Sequence, residues 1–259
     1  MTFELDKIYN MDCLEGMRQM ETESVDLTVA SPPYDNLRTY NGYCFDFENI
    51  ARELYRVTKQ GGVVVWVVGD ATIDGDETGN SFRQALFFKE IGFKLNDTMI
   101  WQKPNPFPTM QHQRYCQQFE YMFVFSKGKV AKFNPIMVPC VKAGQQYNST
   151  TMEKNGGNPT RKFKSFTIHD EKVSGNVWSI GVAQEKTGHP AVFPEKLAAD
   201  HIKSWSNEGD IVLDPFMGSG TTAKVARALN RHYIGFEISA EYCDIIHKRL
   251  EQTKSLFDF

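Results

Sequence analysis

Six consecutive apolar residues, Val63-Val64-Val65-Trp66-Val67-Val68, constrain this chain more than any other stretch. Five are β-branched valines, stiff at χ1 and suited to a strand. They do not alternate with polar residues, so both faces of that strand must be covered. Such burial is the mark of a central strand in a parallel sheet flanked by helices. At six residues the run is about a third of the roughly 18–20 that a spanning helix needs. Around it the pattern alternates. Lys7–Asn10, Val25–Ala30, Asp97–Trp101, Tyr121–Phe125, Ile211–Leu213 and Tyr233–Phe236 read as strands. Residues 13–20, 47–59, 82–91, 193–205, 221–229 and 241–251 carry helical spacing or composition. Gly61-Gly62 reads as the stop of the second helix. The βαβα order predicts an α/β fold with a mostly parallel sheet and helices on both faces.

Composition narrows the class. With 259 residues, 41% hydrophobic and 24% charged, the chain fits one large domain or two small ones and is not disordered as a whole. Its start, Met1-Thr2-Phe3-Glu4-Leu5-Asp6-Lys7, lacks the basic and apolar blocks of a signal peptide. Five widely spaced cysteines with no CxxC indicate neither a disulfide framework nor a structural zinc site. A reducing cytoplasm fits, with no membrane span. The six histidines form no HxH or HExxH pair, so no metal site is expected.

Charge is unevenly placed. Residues 101–172 hold 11 Lys/Arg against 4 Asp/Glu, a balance of +7, whereas the rest of the chain balances to −10. That segment begins at the proline-punctuated Lys103-Pro104-Asn105-Pro106-Phe107-Pro108. It contains a polar, Gly/Asn/Thr-rich stretch over residues 144–161 that reads as a mobile loop. A basic segment on an acidic body suggests a polyanionic partner. A lysine-rich solvated loop is the plainer reading.

Near the C-terminus, Asp214-Pro215-Phe216-Met217-Gly218-Ser219-Gly220-Thr221-Thr222-Ala223 follows a strand and opens a helix. Gly218, Gly220 and Ala223 fit G-x-G-x-x-G/A, whose glycines let backbone N–H groups approach a ligand at a helix N-terminus. Glu237 ends the next strand, where a carboxylate can take the hydroxyls of a ribose. Together these point to an adenosine-containing cofactor. A nicotinamide dehydrogenase usually carries this loop in its first βα unit; here it comes late, which suggests a permuted sheet.

Ser31-Pro32-Pro33-Tyr34 stands at the C-terminal end of a strand, the edge where open α/β sheets bind ligands. The prolines fix the backbone and the direction of the Pro32 carbonyl. Ser31 sets a hydroxyl beside it, and Tyr34 adds a flat apolar face. Two acceptors and a stacking ring suit a planar ring bearing an exocyclic NH2. A rigid turn with an exposed tyrosine would use the same residues.

The early Ser-Pro-Pro-Tyr and the late Asp-Pro-Phe-x-Gly-Ser-Gly-Thr-Thr together resemble the β-ordered amino-group DNA methyltransferases. The resemblance runs over nearly the whole chain. Tyr9-Asn10-Met11-Asp12-Cys13-Leu14, residues 54–62, 119–128 and 176–178, His189-Pro190 and Phe193-Pro194 take part in it. It implies a Rossmann-like, S-adenosylmethionine-dependent methyltransferase fold in permuted order, with a small irregular basic target-recognition insert. Residues 1–102 would be the catalytic half, 103–176 a sheet strand plus the target-recognition region, and 177–259 the cofactor-binding half of the same domain. Asp214, Phe216, Gly218, Gly220 and Thr221 would surround the methionine part of the cofactor. Glu237 would hold the ribose, Asp12 and the backbone near Cys13 the adenine, and Phe193 would line the far wall.

The same resemblance makes Ser31, Pro32, Pro33 and Tyr34 the catalytic element. It implies a double-stranded DNA substrate with a flipped base stacked on Tyr34, and a homodimer. The serine form of the tetrapeptide goes with N4-cytosine transfer and the aspartate form with N6-adenine, so N4 of cytosine is favoured and N6 of adenine is the alternative. Transfer to an amino nitrogen needs no covalent enzyme intermediate, and the C5-cytosine reaction is set aside. Lys127, Lys129, Lys132, Arg161, Lys162 and Lys164 are candidates for phosphates. Gln111, Gln113, Arg114, Gln117 and Gln118 are candidates for base edges. An RNA or other methyltransferase, a catalytically silent DNA-binding partner and a nicotinamide oxidoreductase are the competing classes. Asp70 reads equally as a site residue or a helix cap, and Trp101 as core.

Overall fold

The computed structural model describes residues 3–33, 45–105, 114–153, 160–182 and 193–257, and no side chains at 151–153, 160–162 or 253–257. Two compact units divide the chain: Met1–Asn134 with Asn176–Phe259, and Pro135–Gly175.

The first unit is the α/β body. In chain order its first part runs β1 (Lys7–Asn10), α1 (Cys13–Gln19), β2 (Val25–Ala30), α2 (Phe47–Val57) and β3 (Thr58–Val68). A small hairpin of β4 (Thr72–Ile73) and β5 (Asp76–Glu77) follows, then α3 (Asn80–Glu90), β6 (Lys94–Gln102) and β7 (Phe119–Ser126). The second unit holds β8 (Met137–Pro139), β9 (Gln146–Glu153), β10 (Thr160–Thr167) and β11 (Glu171–Val173). The body resumes with β12 (Val177–Ser179), α4 (Glu195–Trp205), β13 (Ile211–Asp214), α5 (Thr221–Ala228), β14 (His232–Glu237) and α6 (Ala240–Phe257).

Eight strands form one sheet in the order β1-β14-β13-β2-β3-β7-β6-β12. Every neighbouring pair is parallel except the two that involve β7, which runs against β3 and β6. The valine run behaves as its composition demands. Val63, Val65 and Val67 join a core with Leu197, Ile202, Ala223, Ile246 and Leu250 from α4, α5 and α6. Val64, Trp66 and Val68 join the opposite core with Met17, Leu54 and Phe88 from α1, α2 and α3. Successive side chains thus point to alternate faces, and each face has its own helical layer.

Gly61-Gly62 does not stop the second helix. That helix ends at Val57, where the Thr58 Oγ1 donates to Leu54 O at 2.6 Å. The glycines lie inside β3, and a Cβ on Gly62 would stand 2.9 Å from the Asp26 carbonyl. The pair lets β3 run close against β2 at that point. The polar stretch over 144–161 is likewise not an irregular loop. Much of it is β9, paired antiparallel with β10. Among its described side chains solvent meets both faces, which removes the apolar alternation by which such strands are usually read.

Connections position the site. From β13 the chain passes through α5 to β14 on one side, while from β2 it passes through α2 to β3 on the other. Neighbouring strands β13 and β2 therefore send their chains apart, through helices on opposite faces. Outside their C-terminal ends lies the crevice where open sheets bind ligands.

Candidate active site

The crevice is bounded on one side by residues 214–220 and on the other by Ser31-Pro32-Pro33, which leave β2 without regular structure. Pro32 is buried, and Ser31 and Pro33 are half-buried. Tyr34 lies outside the described residues. The glycine loop makes its turn with Gly218 at φ +53° and Gly220 at φ +81°, a left-handed region costly for any side chain. Gly220 also caps α5, and a Cβ there would stand 2.6 Å from Ile246 on α6.

Buried acids frame this loop. Asp214 ends β13, and its Oδ1 accepts from the Phe216 N–H at 3.0 Å. Glu237 ends β14; its Oε2 accepts from the Gly218 N–H at 2.8 Å and its Oε1 from the Ser239 N–H at 2.9 Å. Burial pushes the Asp214 carboxyl up to about 6, the hydrogen bonds from Thr222 and Phe216 pulling the other way and the Glu237 charge adding to the rise. Burial likewise raises Glu237 against the bonds from Ser239 and Gly218. Among the described residues neither carboxylate meets a Lys or Arg. The Thr221 Oγ1, buried at the start of α5, has no partner there either. Uncompensated buried carboxylates in a cleft mark a place prepared for a cationic or hydroxyl-bearing ligand.

The third wall comes from β1. Asn10 pairs in register with Glu237, and its Nδ2 donates to the carbonyls of Glu237 and Ile238 at 2.9 and 3.0 Å. Two residues on, Asp12 caps α1, its Oδ1 accepting from Leu14 N at 2.9 Å and Glu15 N at 3.1 Å. Cys13, the first residue of α1, is buried. Phe216 packs edge-on against Trp66 and Phe45, with centroids at 6.0 and 5.7 Å. Phe193, just before α4, meets the Trp101 ring at 6.5 Å on the other core. The fold thus joins Gly218 to Glu237 and Glu237 to Asn10 by direct bonds, while Phe193 belongs to a separate packing contact. Trp101 is core, its Nε1 donating to Ile180 O at 2.7 Å.

Several expected residues serve elsewhere. Asp70 stays with α3: it accepts from the Ser81 N–H at 2.9 Å and from the Ser81 hydroxyl, supplying the cap that Gly79 lacks. Lys127 and Lys132 are not placed for phosphates. The Lys127 amine is buried over the Tyr55 ring and donates to Thr58 O at 3.0 Å. The Lys132 amine bridges Asp26 and Asp210 at 2.9 and 2.6 Å. Both follow β7, whose antiparallel direction carries them to the edge opposite Ser31; exposed Lys129 lies between them. Arg114 is tied to Glu77 at 2.6 Å and to Gly75 O at 2.7 Å. The Gln117 Nε2 donates to Phe119 O at 3.0 Å, and Gln111 and Gln113 lie outside the described residues. Cys140 follows a proline, Pro139. It belongs to the second unit, where its N–H donates to Asp170 O at 2.8 Å. No group of three or more metal-ligating side chains occurs among the described residues.

Sequence reasoning missed Thr222, Ser239 and Arg249. Arg249, on α6, donates to the Ser219 carbonyl within the glycine loop and lies 3.3 Å from Glu195 on α4. Nothing local in the sequence announces a brace 30 residues away.

Residues 25–248 match the N6_N4_Mtase family, described as DNA methylase. The chain belongs to the DNA methylase family. The orphan methyltransferase M.BamHII of Bacillus amyloliquefaciens is 56% identical over 238 residues, covering 88% of this chain and 89% of that one. Among solved structures, the PvuII DNA methyltransferase (cytosine-N4-specific) aligns with TM-score 0.70 at 22% identity, over 99% of this chain and 93% of that one. The M1.HpyAVI–SAM complex aligns with TM-score 0.63 at 24% identity, over 94% and 99%. This DNA methylase has the α/β fold anticipated from its sequence. No helix among its described residues is long and apolar enough to cross a membrane.

Proposed function

We propose that this DNA methyltransferase acts site-specifically on an exocyclic amino group of a flipped base, N4 of cytosine in preference to N6 of adenine. The observation that carries the reading is the placement of Ser31-Pro32 and the glycine loop on neighbouring strands β2 and β13, across one crevice. The serine form of the tetrapeptide supports cytosine. The alternative, adenine, needs the same two acceptors and would use the same residues.

The cofactor requirements suit the chain's donors. S-adenosylmethionine, when bound, supplies a methyl group on a positively charged sulfur. Asp214, Glu237 and the Thr221 hydroxyl are the buried polar groups left to meet it, with Phe216, Gly218 and Gly220 around them. Asp12 and the backbone at Cys13 would take the adenine end, and Phe193 the far wall. An amino nitrogen on a base is a poor nucleophile because its lone pair is delocalised into the ring. Ser31 Oγ and the Pro32 carbonyl each accept one N–H, holding the nitrogen toward tetrahedral geometry with its lone pair aimed. Pro33 keeps that carbonyl fixed, and Tyr34 stacks the extruded base. Positioning and fixed dipoles then account for most of the rate.

Residues 1–102 and 177–259 serve as the catalytic and cofactor-binding halves, and target recognition lies within 103–176. A homodimer working in the cytoplasm completes the proposal; sedimentation velocity at micromolar protein tests the dimer. The deciding experiment is methylation of unmethylated genomic DNA with labelled S-adenosylmethionine, followed by nucleoside mass spectrometry. N4-methylcytosine is the expected product. N6-methyladenine would transfer the mechanism to the other base, and label in neither would overturn the reading.

A further inference from the structure

The second unit contains a ribbon whose shape is hard to explain by folding alone. Strands β9 and β10 pair antiparallel over eight consecutive positions, from Gln146 opposite Thr167 to Glu153 opposite Thr160. Directly opposed residues share a face. Gln146 with Thr167, Asn148 with Ser165 and Thr150 with Phe163 form one face. Tyr147 with Phe166 and Ser149 with Lys164 form the other. A ribbon that helps to build a core buries one of its faces; among the described side chains of this one, 146–150 and 163–167, neither face is buried. Phe163 is 76% exposed, Tyr147 53% and Phe166 49%. The amide-bearing face is also ordered within itself: the Gln146 Nε2 donates to Thr167 Oγ1 at 2.8 Å, and its Oε1 accepts from Ser165 Oγ at 3.4 Å.

Charge adds a direction. Residues 135–175 carry six Lys/Arg against three Asp/Glu, +3 in a chain whose net charge is −3. A major groove about 12 Å wide admits a two-stranded ribbon. Eight residues at roughly 3.4 Å each span about 27 Å, enough to cross it. Amide side chains match adenine edges, and apolar side chains match the thymine methyl.

Resting on the DNA methyltransferase reading above, we propose that the β9–β10 ribbon enters the major groove and reads base edges with Asn148, Thr150, Phe163 and Ser165. Phosphates line the lips of the groove, level with the ribbon's outer face, and Lys164 meets them there. The base-reading role thereby moves from the glutamines at 111–118 to the ribbon.

The test uses the full-length enzyme and unmethylated genomic DNA, with modified sites mapped by sequencing. N148A/F163A removes two exposed side chains and leaves the fold intact, which circular dichroism and S-adenosylmethionine affinity verify. The expected result is a fall of about 10–100-fold in kcat/KM at the wild-type sites, with relaxed preference at one or two positions and unchanged cofactor affinity. K164Q weakens binding at all sequences alike and lowers the salt slope by about one. Unchanged rate and unchanged sites in N148A/F163A, with a wild type active on DNA, would overturn the ribbon alone. A loss restored by raising protein concentration would make the ribbon a contact between two copies, and would also overturn it. A wild type that modifies RNA or protein and no DNA would overturn both readings.

Discussion

Asp26 and Asp214 lie on neighbouring strands, both nearly inaccessible at 9% and 6% exposure, at opposite edges of one sheet. At the N-terminal edge, Asp26 accepts from Lys59 at 2.7 Å, Lys132 at 2.9 Å and the Ile211 N–H at 3.1 Å. Burial works against its charge, but these partners prevail and hold the carboxyl below the ordinary range. At the C-terminal edge, Asp214 is raised to about 6 chiefly by burial. A buried charge that is compensated ties strands together. One left without a cation is stabilised only when a ligand arrives. The same contrast separates Lys132, used up at the first edge, from the carboxylates waiting at the second.

The largest effect expected from breaking this contrast is at the compensated edge. Asp26→Ala leaves two lysines without their shared partner, a loss of about 3 kcal/mol, toward the lower end for such pairs because both amines keep some solvent. The melting temperature falls by roughly 6–12 °C. Below that temperature kcat and cofactor affinity stay at wild-type values, which calorimetry and steady-state kinetics check together. Ser31→Ala is the converse. It lowers kcat by about 100-fold through lost alignment of the amino group and leaves the melting temperature and the cofactor affinity in place. If Asp26→Ala weakened cofactor binding, or Ser31→Ala did, the two edges would not be separable.

Asp214→Asn moves stability and binding in opposite directions. The folded carboxyl titrates near 6, against about 3.8 when unperturbed. A raised acid favours the folded state fully below its unfolded pKa, and that contribution is lost as pH rises through the folded value. The asparagine variant is therefore more stable than wild type at pH 8, by about 3 kcal/mol, and no more stable below pH 4. Affinity for a cationic cofactor follows the charge: wild type weakens as pH falls below about 6, and the variant binds about tenfold more weakly at pH 8. Calorimetry across pH, with and without S-adenosylmethionine, reads both.

The body of the fold was legible because burial on two faces leaves a mark in sequence. Val63–Val68, the helix of Ile50, Leu54 and Val57, and the glycine turn at 218–220 each carry a local pattern. The framing of the loop by Asp214 and Glu237 was legible too, since both end strands next to it. What local pattern does not encode is partnership across the sheet. Lys127 and Lys132 look like any lysines in a basic stretch, and only the reversed direction of β7 carries them to Thr58 and Asp26. The ribbon of β9 and β10 was hidden for a different reason: its described side chains meet solvent on both faces, so they show no apolar face to repeat.

The smallest effect concerns Arg249, a charged group that reaches from α6 into the glycine loop. Arg249 joins the Ser219 carbonyl, the Ser219 Oγ at 3.2 Å and Glu195, which also holds Lys224 at 2.5 Å. These contacts brace the loop from α6 and Glu195, beside the buried carboxylates of Asp214 and Glu237. Removing them in Arg249→Gln leaves the loop with its own turn bonds, including Gly220 N–H to Met217 O at 2.8 Å. The cost is therefore about 1 kcal/mol, and KM for S-adenosylmethionine rises about threefold with kcat unchanged. Arg249→Lys keeps the charge beside Glu195 but not the forked geometry, so it recovers stability better than KM. An equal loss of kcat would mean that the loop moves with the base-holding element as well, and that the C-terminal edge acts as one mechanical unit rather than two.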